Sequence, residues 1–488
     1  MIKKILQLKI KKTELIFILI LVLGIFLRIY DLGGESLWLD EGISVNTASK
    51  NLTDIIKISF SKKVATPLYH IILHYWMNFL GDTEFSVRFL SVIFGSLAIF
   101  MIYKVGSLMF DKKTGILSSL ILALSAFNIR FSQETRMYSL ITFLTLLSMY
   151  FFIKFLREIN YAILISYISS SILLIYAHYV GLFIIITQNI YFFTLYLLNK
   201  KEHKHNLKIW ILLQGILIIL FLPWYYLRSL RTFIKMAGVA KSNISLYPLW
   251  ISLLEFSGSK ILLLIFLMLA VFSAVNYKKI KAKISLRNLS GYINLTNIKE
   301  ICLLLLWIFI PIILASSVSG FFTRYIIGAS PAFYLLVSKG IRSINHKYFK
   351  SVTIGIILFF SFVSIGLYYA EVNKESWKDT ANYINENAEP EDLVFVFPDY
   401  TTIPLNYYLK RIDIIMRATS NINAYIYKVK EFDRVWIVVS RSGLGRETWI
   451  KEELKDYSLV NHLMYTIKDY ISHEKHTSIE LYLFEKHE

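Results

Sequence analysis

The sequence predicts an α-helical polytopic membrane protein, with about eleven transmembrane helices over residues 1–370 and a small extracytoplasmic α/β domain over residues 371–488. Three observations carry this expectation. The 488 residues are 56% hydrophobic and only 18% charged, with a mean hydropathy of +0.53, which a soluble globular domain does not match. Apolar stretches of the roughly 20 residues that a span requires recur from Leu15 to Ala370. From Glu371 onward the chain turns polar.

Spans are expected near residues 15–30, 85–105, 114–129, 137–156, 161–177, 180–198, 209–227, 259–277, 301–319, 325–340 and 351–370. The third and tenth are short, as a tilted or neighbour-shielded helix allows. The start, "MIKKILQLKIKK" followed by an apolar run, has the outline of a signal peptide. It lacks a small-residue cleavage site and continues "RIYDLGGE", so it is read as a retained first span.

Lys and Arg total 53 against 34 acids, a formal charge of +19. Such a surplus suits nucleic acid or an anionic lipid surface. Its placement selects the membrane and no nucleic-acid partner, because the basic residues sit in short loops between apolar runs. With Lys3, Lys4, Lys9, Lys11 and Lys12 setting a cytoplasmic start, "KVGSLMFDKK", "KFLRE", "NKKEHKHNLK", "NYKKIKAKISLR" and "SKGIRSINHKYFK" all fall on the inner side. One outer loop, near residues 228–241, breaks the rule with Arg228, Arg231, Lys235 and Lys241. It is either a longer loop that tolerates charge or an anion-attracting mouth. The single cysteine, Cys302, excludes an internal disulfide.

By parity the tail is extracytoplasmic. "ESWKDTANYINENAEPEDLVFVF" reads as a helix running into a strand, "DRVWIVVS" as a second strand, "RETWIKEELKDY" as a helix and "SIELYLFEK" as a closing strand. "SRSGLGRET" lacks the third small residue of a dinucleotide fingerprint.

Several charged or polar residues fall at the outer ends of spans: Asp40 and Glu41 in "SLWLDEGIS", Glu134, Arg136 and Tyr138 in "FSQETRMYS", His178 and Tyr179 in "AHYVG", and Arg324 and Tyr325 in "FFTRYIIGASP". Singly, each has an ordinary reading: a solvated acidic pair, a snorkelling arginine, a satisfied polar histidine. Glu134 and Arg136 are two apart, a spacing that does not stack side chains on one helix face. Together they mark a site, because charge at the edge of hydrocarbon costs several kcal/mol unless paired or used. Acids and an arginine at a lipid–water boundary suit sugar transfer from a lipid phosphate. Arginine holds the phosphate leaving group, and a carboxylate takes the proton of the attacking hydroxyl. A single displacement inverts the anomeric carbon, with the acceptor hydroxyl standing where an inverting hydrolase places water.

"SLWLDEGIS", "TPLYHIILHYWMNFLGDTEFSVRFLSVIFG", "SQETRMYSL", "AHYVGLFIIITQN" and "TRYIIGASPAFYLL" occur in that order. Over about residues 1–370 the chain resembles the lipid-dependent membrane glycosyltransferases of GT-C fold, family-39-like, related to protein O-mannosyltransferases and aminoarabinose transferases. The resemblance implies Asp40 as catalytic base with Glu41 beside it, and Glu134 as a second acidic group that orients acceptor or donor, with Arg136 and Tyr138 next to it. It implies Arg324 and Tyr325 on the carrier phosphate, His178 lining the cavity, and amphipathic outer helices around Pro67 and His70. Some relatives carry a lysine immediately before that proline, on the carrier phosphate; here the residue is Thr66, and Lys62 or Lys63 could substitute. Arg88 fits the block as a structural residue.

The implied donor is a polyprenyl-phosphate sugar, hexosyl or pentosyl. The implied acceptor is a hydroxyl of protein, glycolipid or polysaccharide. No cofactor is required, although Asp40 and Glu41 are a possible divalent-cation pair. The competing reading is a polytopic transporter or lipid-linked sugar flippase, which predicts charges near span centres and paired broken helices. The acids here cluster at outer ends instead.

Overall fold

The computed structural model describes residues 11–60, 67–227, 246–274, 297–317, 321–371, 374–411, 414–418, 429–440, 452, 454–468 and 475–487. In chain order the helices are α1 (Lys12–Ile29), α2 (Leu39–Ala48), α3 (Leu52–Phe60), α4 (Pro67–Leu80), α5 (Glu84–Met109), α6 (Lys112–Ala123), α7 (Ala126–Ser132), α8 (Tyr138–Arg157), α9 (Tyr161–Ala177), α10 (Gly181–Leu198), α11 (Lys200–Leu227), α12 (Tyr247–Ser257), α13 (Lys260–Ala274) and α14 (Ile298–Ser316). A 3-10 segment, Thr323–Ala329, leads into α15 (Ser330–Ser343) and α16 (Lys347–Ala370). The tail adds α17 (Trp377–Asn387), β1 (Leu393–Phe397), α18 (Thr402–Tyr408), β2 (Ile415–Ala418), β3 (Arg434–Ser440), β4 (Tyr457–Lys468) and β5 (Lys475–Lys486).

These elements form two compact units. One comprises Met1–Tyr30, Asn51–Trp76 and Arg88–Gly366; the other comprises Asp31–Lys50, Met77–Val87 and Leu367–Glu488. The second unit therefore differs from a simple cut at residue 370, because it takes in two segments from the first hundred residues.

In the helical unit, each expected span coincides with a helix or a helix pair. Among the described residues, six helices are long and apolar enough to cross a membrane, and two bent pairs raise the number to eight. The other three expected spans coincide with α1, with the 17-residue α9 and with the 3-10 segment plus the 14-residue α15. The third span is broken: α6 and α7 meet at 64°, because Ser125 ends one helix and caps the next by accepting the Asn128 N–H at 3.3 Å. The α12–α13 pair bends by 101° at Gly258, whose φ of +83° is the left-handed helix stop that glycine adopts without strain. Helices α13 and α15 pack so closely that a side chain at Gly340 would overlap the Leu269 carbonyl.

Polar groups inside this unit are tied into chains. Trp210 Nε1 donates to Asn189 Oδ1, Asn189 Nδ2 to Gln214 Oε1, and Tyr167 Oη to Gln188 Oε1, each at 2.9 Å. Gln214 Nε2 donates to Tyr167 Oη at 3.2 Å, Gln188 Nε2 donates to Ser148 Oγ at 2.9 Å, and Ser148 Oγ meets Ser171 Oγ at 2.9 Å. Helices α8, α9, α10 and α11 are thus linked by side chains that have no water to turn to in hydrocarbon.

Helix ends expected to share a side lie near one another. Met109, Arg157, Leu195 and Lys299 line one crevice, and Arg342 Nη2 lies 3.5 Å from Asp111 Oδ2; these residues lie in or next to the segments and span ends that the sequence assigns to one side. Ile141, Val180 and Ile326, near ends placed on the outer side, line another.

The second unit carries a mixed five-stranded sheet in the order β2-β1-β3-β5-β4. Strand β1 runs parallel to β2 and β3, while β5 is antiparallel to β3 and β4. Its core includes Leu393, Phe395, Val435, Ile437, Tyr482 and Phe484. Helix α17 and strands β1, β3 and β5 occur where the sequence places them. The helix expected in "RETWIKEELKDY" lies mostly outside the described residues, as do the fingerprint-like "SRSGLGRET" and the outer loop near 228–241. Strand β4 escapes pattern reading because its register slips between Leu459 and Asn461 and again between Tyr465 and Thr466, which destroys the two-residue alternation.

Replacing Gln188 by alanine should remove the acceptor of the Tyr167 hydroxyl and the donor to Ser148 Oγ and so weaken the four-helix link. We expect a loss of about 1–3 kcal/mol, read as a lowered thermal midpoint of the purified protein in detergent.

Candidate active site

Asp40 and Glu41 belong to the second unit and lie in the first turn of α2, where acidic side chains complement the helix dipole. They are not equivalent. Glu41 is 0% exposed; its Oε2 accepts the Trp38 N–H at 3.4 Å and lies 3.4 Å from the Lys374 Nζ. Lys374 is itself buried. Asp40 is only partly buried, and its backbone carbonyl accepts the Ser44 hydroxyl at 3.0 Å.

The loop that presents this turn is fastened within its own unit. Ser36 Oγ donates to the Glu375 carbonyl at 2.5 Å, and the Leu37 N–H donates to Tyr408 Oη at 2.7 Å. A Cβ at Gly42 would come within 3.3 Å of Pro404, so glycine permits α2 to lie against α18. Of the acidic pair, Glu41 is engaged in holding the turn, whereas Asp40 keeps partial exposure. Lys374 escaped sequence reading because "EVNKESW" is a polar stretch in which one lysine carries no distinguishing signal.

In the helical unit, Glu134 and Arg136 occupy the turn that follows α7. Glu134 is 2% exposed and its Oε1 lies 3.5 Å from Nε of Arg130, a residue 30% exposed. Tyr138, the first residue of α8, is fully buried; its ring sits 5.0 Å from that of Phe131 and 5.9 Å from the Arg136 guanidinium carbon. The Arg136 carbonyl accepts Ser91 Oγ at 3.2 Å, and Ser91 meets Tyr69 Oη at 3.0 Å. His70, beside Tyr69 on α4, is buried at 1% exposure, so it lies on the inward face of its helix, while Tyr75 and Phe79 are exposed. Arg88 is equally buried.

A buried arginine that sequence reading missed secures this turn. Arg28, on α1 and 1% exposed, donates Nε to Ser132 Oγ at 3.1 Å, Nη1 to the Gly24 and Ala123 carbonyls at 2.9 and 3.2 Å, and Nη2 to the Leu122 carbonyl at 3.2 Å. Two of these carbonyls end α6, where the helix leaves its last acceptors without intrahelical partners. Gln133 Nε2 returns the contact to the Arg28 and Tyr30 carbonyls at 3.2 and 2.7 Å. The available signal was a charged residue within an apolar run.

His178 and Tyr325, far apart in sequence, are brought together with stacked rings 5.7 Å apart. His178 Nδ1 accepts the Val180 N–H at 3.3 Å, which leaves Nε2 for the proton of a neutral imidazole. The Arg324 guanidinium lies over Phe322 at 4.3 Å and Tyr325 at 5.6 Å, a cation held on aromatic faces. Trp307 Nε1 anchors the segment by donating to the Gly328 carbonyl at 2.8 Å. Ile141 of α8, Val180, Gly181 and Ile326 pack around one small crevice, so the turns carrying Tyr138, His178 and Tyr325 occupy the same end of the unit. Lys63 and Lys62 lie outside the described residues. Among the described residues no three His, Cys, Asp or Glu side chains converge as a metal site.

Residues 64–226 match the family model of dolichyl-phosphate-mannose-protein mannosyltransferases. Among solved structures, ArnT from Cupriavidus metallidurans, determined bound to undecaprenyl phosphate, superposes with a TM-score of 0.60 at 12% identity, covering 95% of this chain and 97% of that one. The chain has the GT-C fold. The same fold relates it to the oligosaccharyltransferase of Archaeoglobus fulgidus, solved with Zn and sulfate, at a TM-score of 0.60 and 12% identity over 95% of this chain and 73% of that one. AglB from the same organism, solved with an inhibitory peptide and a dolichol-phosphate, gives 0.52 at 12% identity over 96% and 74%. No curated protein matches the chain. The segment of the GT-C fold covered by the family model holds His70, Glu134, Arg136, Tyr138 and His178, whereas Asp40 and Arg324 fall outside it.

Lys374→Met should leave the Glu41 carboxylate buried without its cation. Breaking such a pair costs about 3–5 kcal/mol, which denaturant unfolding of the native and variant proteins will measure; Lys374→Arg should recover most of the loss.

Proposed function

We propose that the chain is an integral-membrane glycosyltransferase that moves a sugar from a polyprenyl-phosphate donor to an acceptor hydroxyl of protein, glycolipid or polysaccharide. The observation that carries this reading is the Arg324–Tyr325–His178 arrangement: a guanidinium braced on aromatic rings at a helix-end turn, in a chain with the fold of a protein solved with undecaprenyl phosphate. The match to a mannosyltransferase family model supports it from sequence. In this reading the N-terminus is cytoplasmic, and the sheet-bearing tail and the reacting groups are extracytoplasmic.

The acceptor oxygen attacks the anomeric carbon from the face opposite the phosphate, and the bond from that carbon to the phosphate oxygen breaks. The leaving phosphate takes the bonding pair, and Arg324 holds the charge that grows there. Asp40, the partly accessible member of its pair, receives the hydroxyl proton. The carbon is inverted in the single step. Glu134, fixed by Arg130, and Arg136 orient the substrates, while Tyr138 and His178 shape the cavity.

We further propose that the reaction needs no metal. The two-carboxylate cation site open at the level of sequence is disfavoured by the engagement of Glu41 with Lys374 and the Trp38 N–H, and cationic side chains are suited to neutralise the phosphate.

Transfer of radiolabelled sugar from a polyprenyl-phosphate carrier tests the reading. Asp40→Asn should lower the turnover rate by about 10²–10⁴-fold with carrier binding retained; wild-type turnover would remove Asp40 as the base. Arg324→Ala should raise KM for the carrier about tenfold or more, and unchanged kinetics would sink its phosphate role. EDTA should leave the rate unaltered; a metal-restorable loss would refute the metal-free scheme.

A further inference from the structure

The opposite end of the helical unit holds a crevice that the transfer reaction does not use. It has a volume of about 190 Å³, and its charged wall is formed by Arg157 at the end of α8 and by Lys299 and Glu300 in the first turn of α14. Leu156, Leu195 and Leu303 supply apolar wall beside them.

Arg157 and Lys299 are exposed and Glu300 is half-buried. Arg157 gives Nη2 to the Leu108 carbonyl at 2.6 Å, which fixes the guanidinium and leaves other N–H groups available. No ion pair joins Arg157, Lys299 or Glu300 to another described residue, although all three line the same cavity. The wall is not soft: Tyr191 Oη donates to the Lys299 carbonyl at 3.1 Å, tying the first turn of α14 to α10. On α10, Leu197 and Leu198 present 67% and 76% of their surface, which is apolar surface that lipid covers in a membrane.

We propose that this crevice binds the headgroup of a zwitterionic aminophospholipid, phosphatidylethanolamine. Two cations and one carboxylate are the complement of a phosphodiester and an ammonium. The phosphate is held between Arg157 and Lys299, where a guanidinium offers paired donors. The ammonium is met by Glu300, and an acyl chain lies against the leucine wall. A purely anionic headgroup would leave Glu300 facing a phosphate without a cation between them, and free phosphate would leave the apolar wall empty. The site sits at the helix ends where basic residues gather, the level of headgroups in a bilayer.

The test is native mass spectrometry of the full-length protein in detergent, titrated with phosphatidylethanolamine, with phosphatidylglycerol of the same acyl chains, and with inorganic phosphate. Phosphatidylethanolamine should be retained at least about fivefold better than either competitor. Arg157→Ala together with Lys299→Ala should reduce its retention by a similar factor, and Glu300→Gln should abolish the preference over phosphatidylglycerol. Equal retention of the two lipids by the native protein, or unchanged retention in the double variant, overturns the proposal. Should the double variant not fold, photo-crosslinking of the native protein with a diazirine phosphatidylethanolamine decides: labelling at residues 153–157, 191–195 or 299–303 supports the site, and labelling confined elsewhere refutes it.

Discussion

The helical unit depends on one constraint: a hydrogen-bonding group placed in hydrocarbon must find its partner in the protein, because water is not there to supply one. The chain from Trp210 through Gln214 and Tyr167 to Ser148 meets this requirement across four helices. So does the cluster around Tyr334, whose hydroxyl donates to the Phe256 carbonyl at 2.9 Å and meets Ser125 Oγ at 2.8 Å and Asn128 Nδ2 at 3.0 Å. Apolar packing brings helices near one another, but such networks select which neighbours and which register satisfy every member.

Arg28 is the most consequential case. A break of 64° inside a span exposes carbonyls that a straight helix would bond internally. One guanidinium, with its donors in a fixed plane, closes two of them and reaches Ser132 across the bend. The bend in turn places Glu134 and Arg136 in a short turn between two helices, where Glu134 is buried against Arg130. Breaking a span is tolerated where the freed backbone is covered by protein, as the Arg28 guanidinium covers it here.

In the second unit, the same economy of buried polar groups separates two adjacent acids. Glu41 is drawn into an ion pair with a buried lysine from the tail, and its neighbour Asp40 retains access to solvent. The unit is assembled from three stretches of chain, so the turn that bears Asp40 owes its anchoring to Glu375, Tyr408 and Pro404. A polar tail that carried no recognisable motif is thereby part of the support for an acidic group more than three hundred residues earlier.

Hydropathy and patterning determined the positions of the apolar helices and the existence of a tail sheet, because these follow from solvent preference along a single strand of chain. They also marked Asp40, Glu134, His178 and Arg324, since charge or polarity at the rim of an apolar run is visible without coordinates. Tertiary structure alone decided that Glu41 pairs with Lys374, that Arg28 clasps the broken span, that His70 faces inward, that His178 stacks on Tyr325 and that β4 joins the sheet through two register slips. Each of those facts is a contact between residues distant in sequence or a break in local periodicity. Linear pattern carries no distance information about such contacts, and only the folded packing sets them.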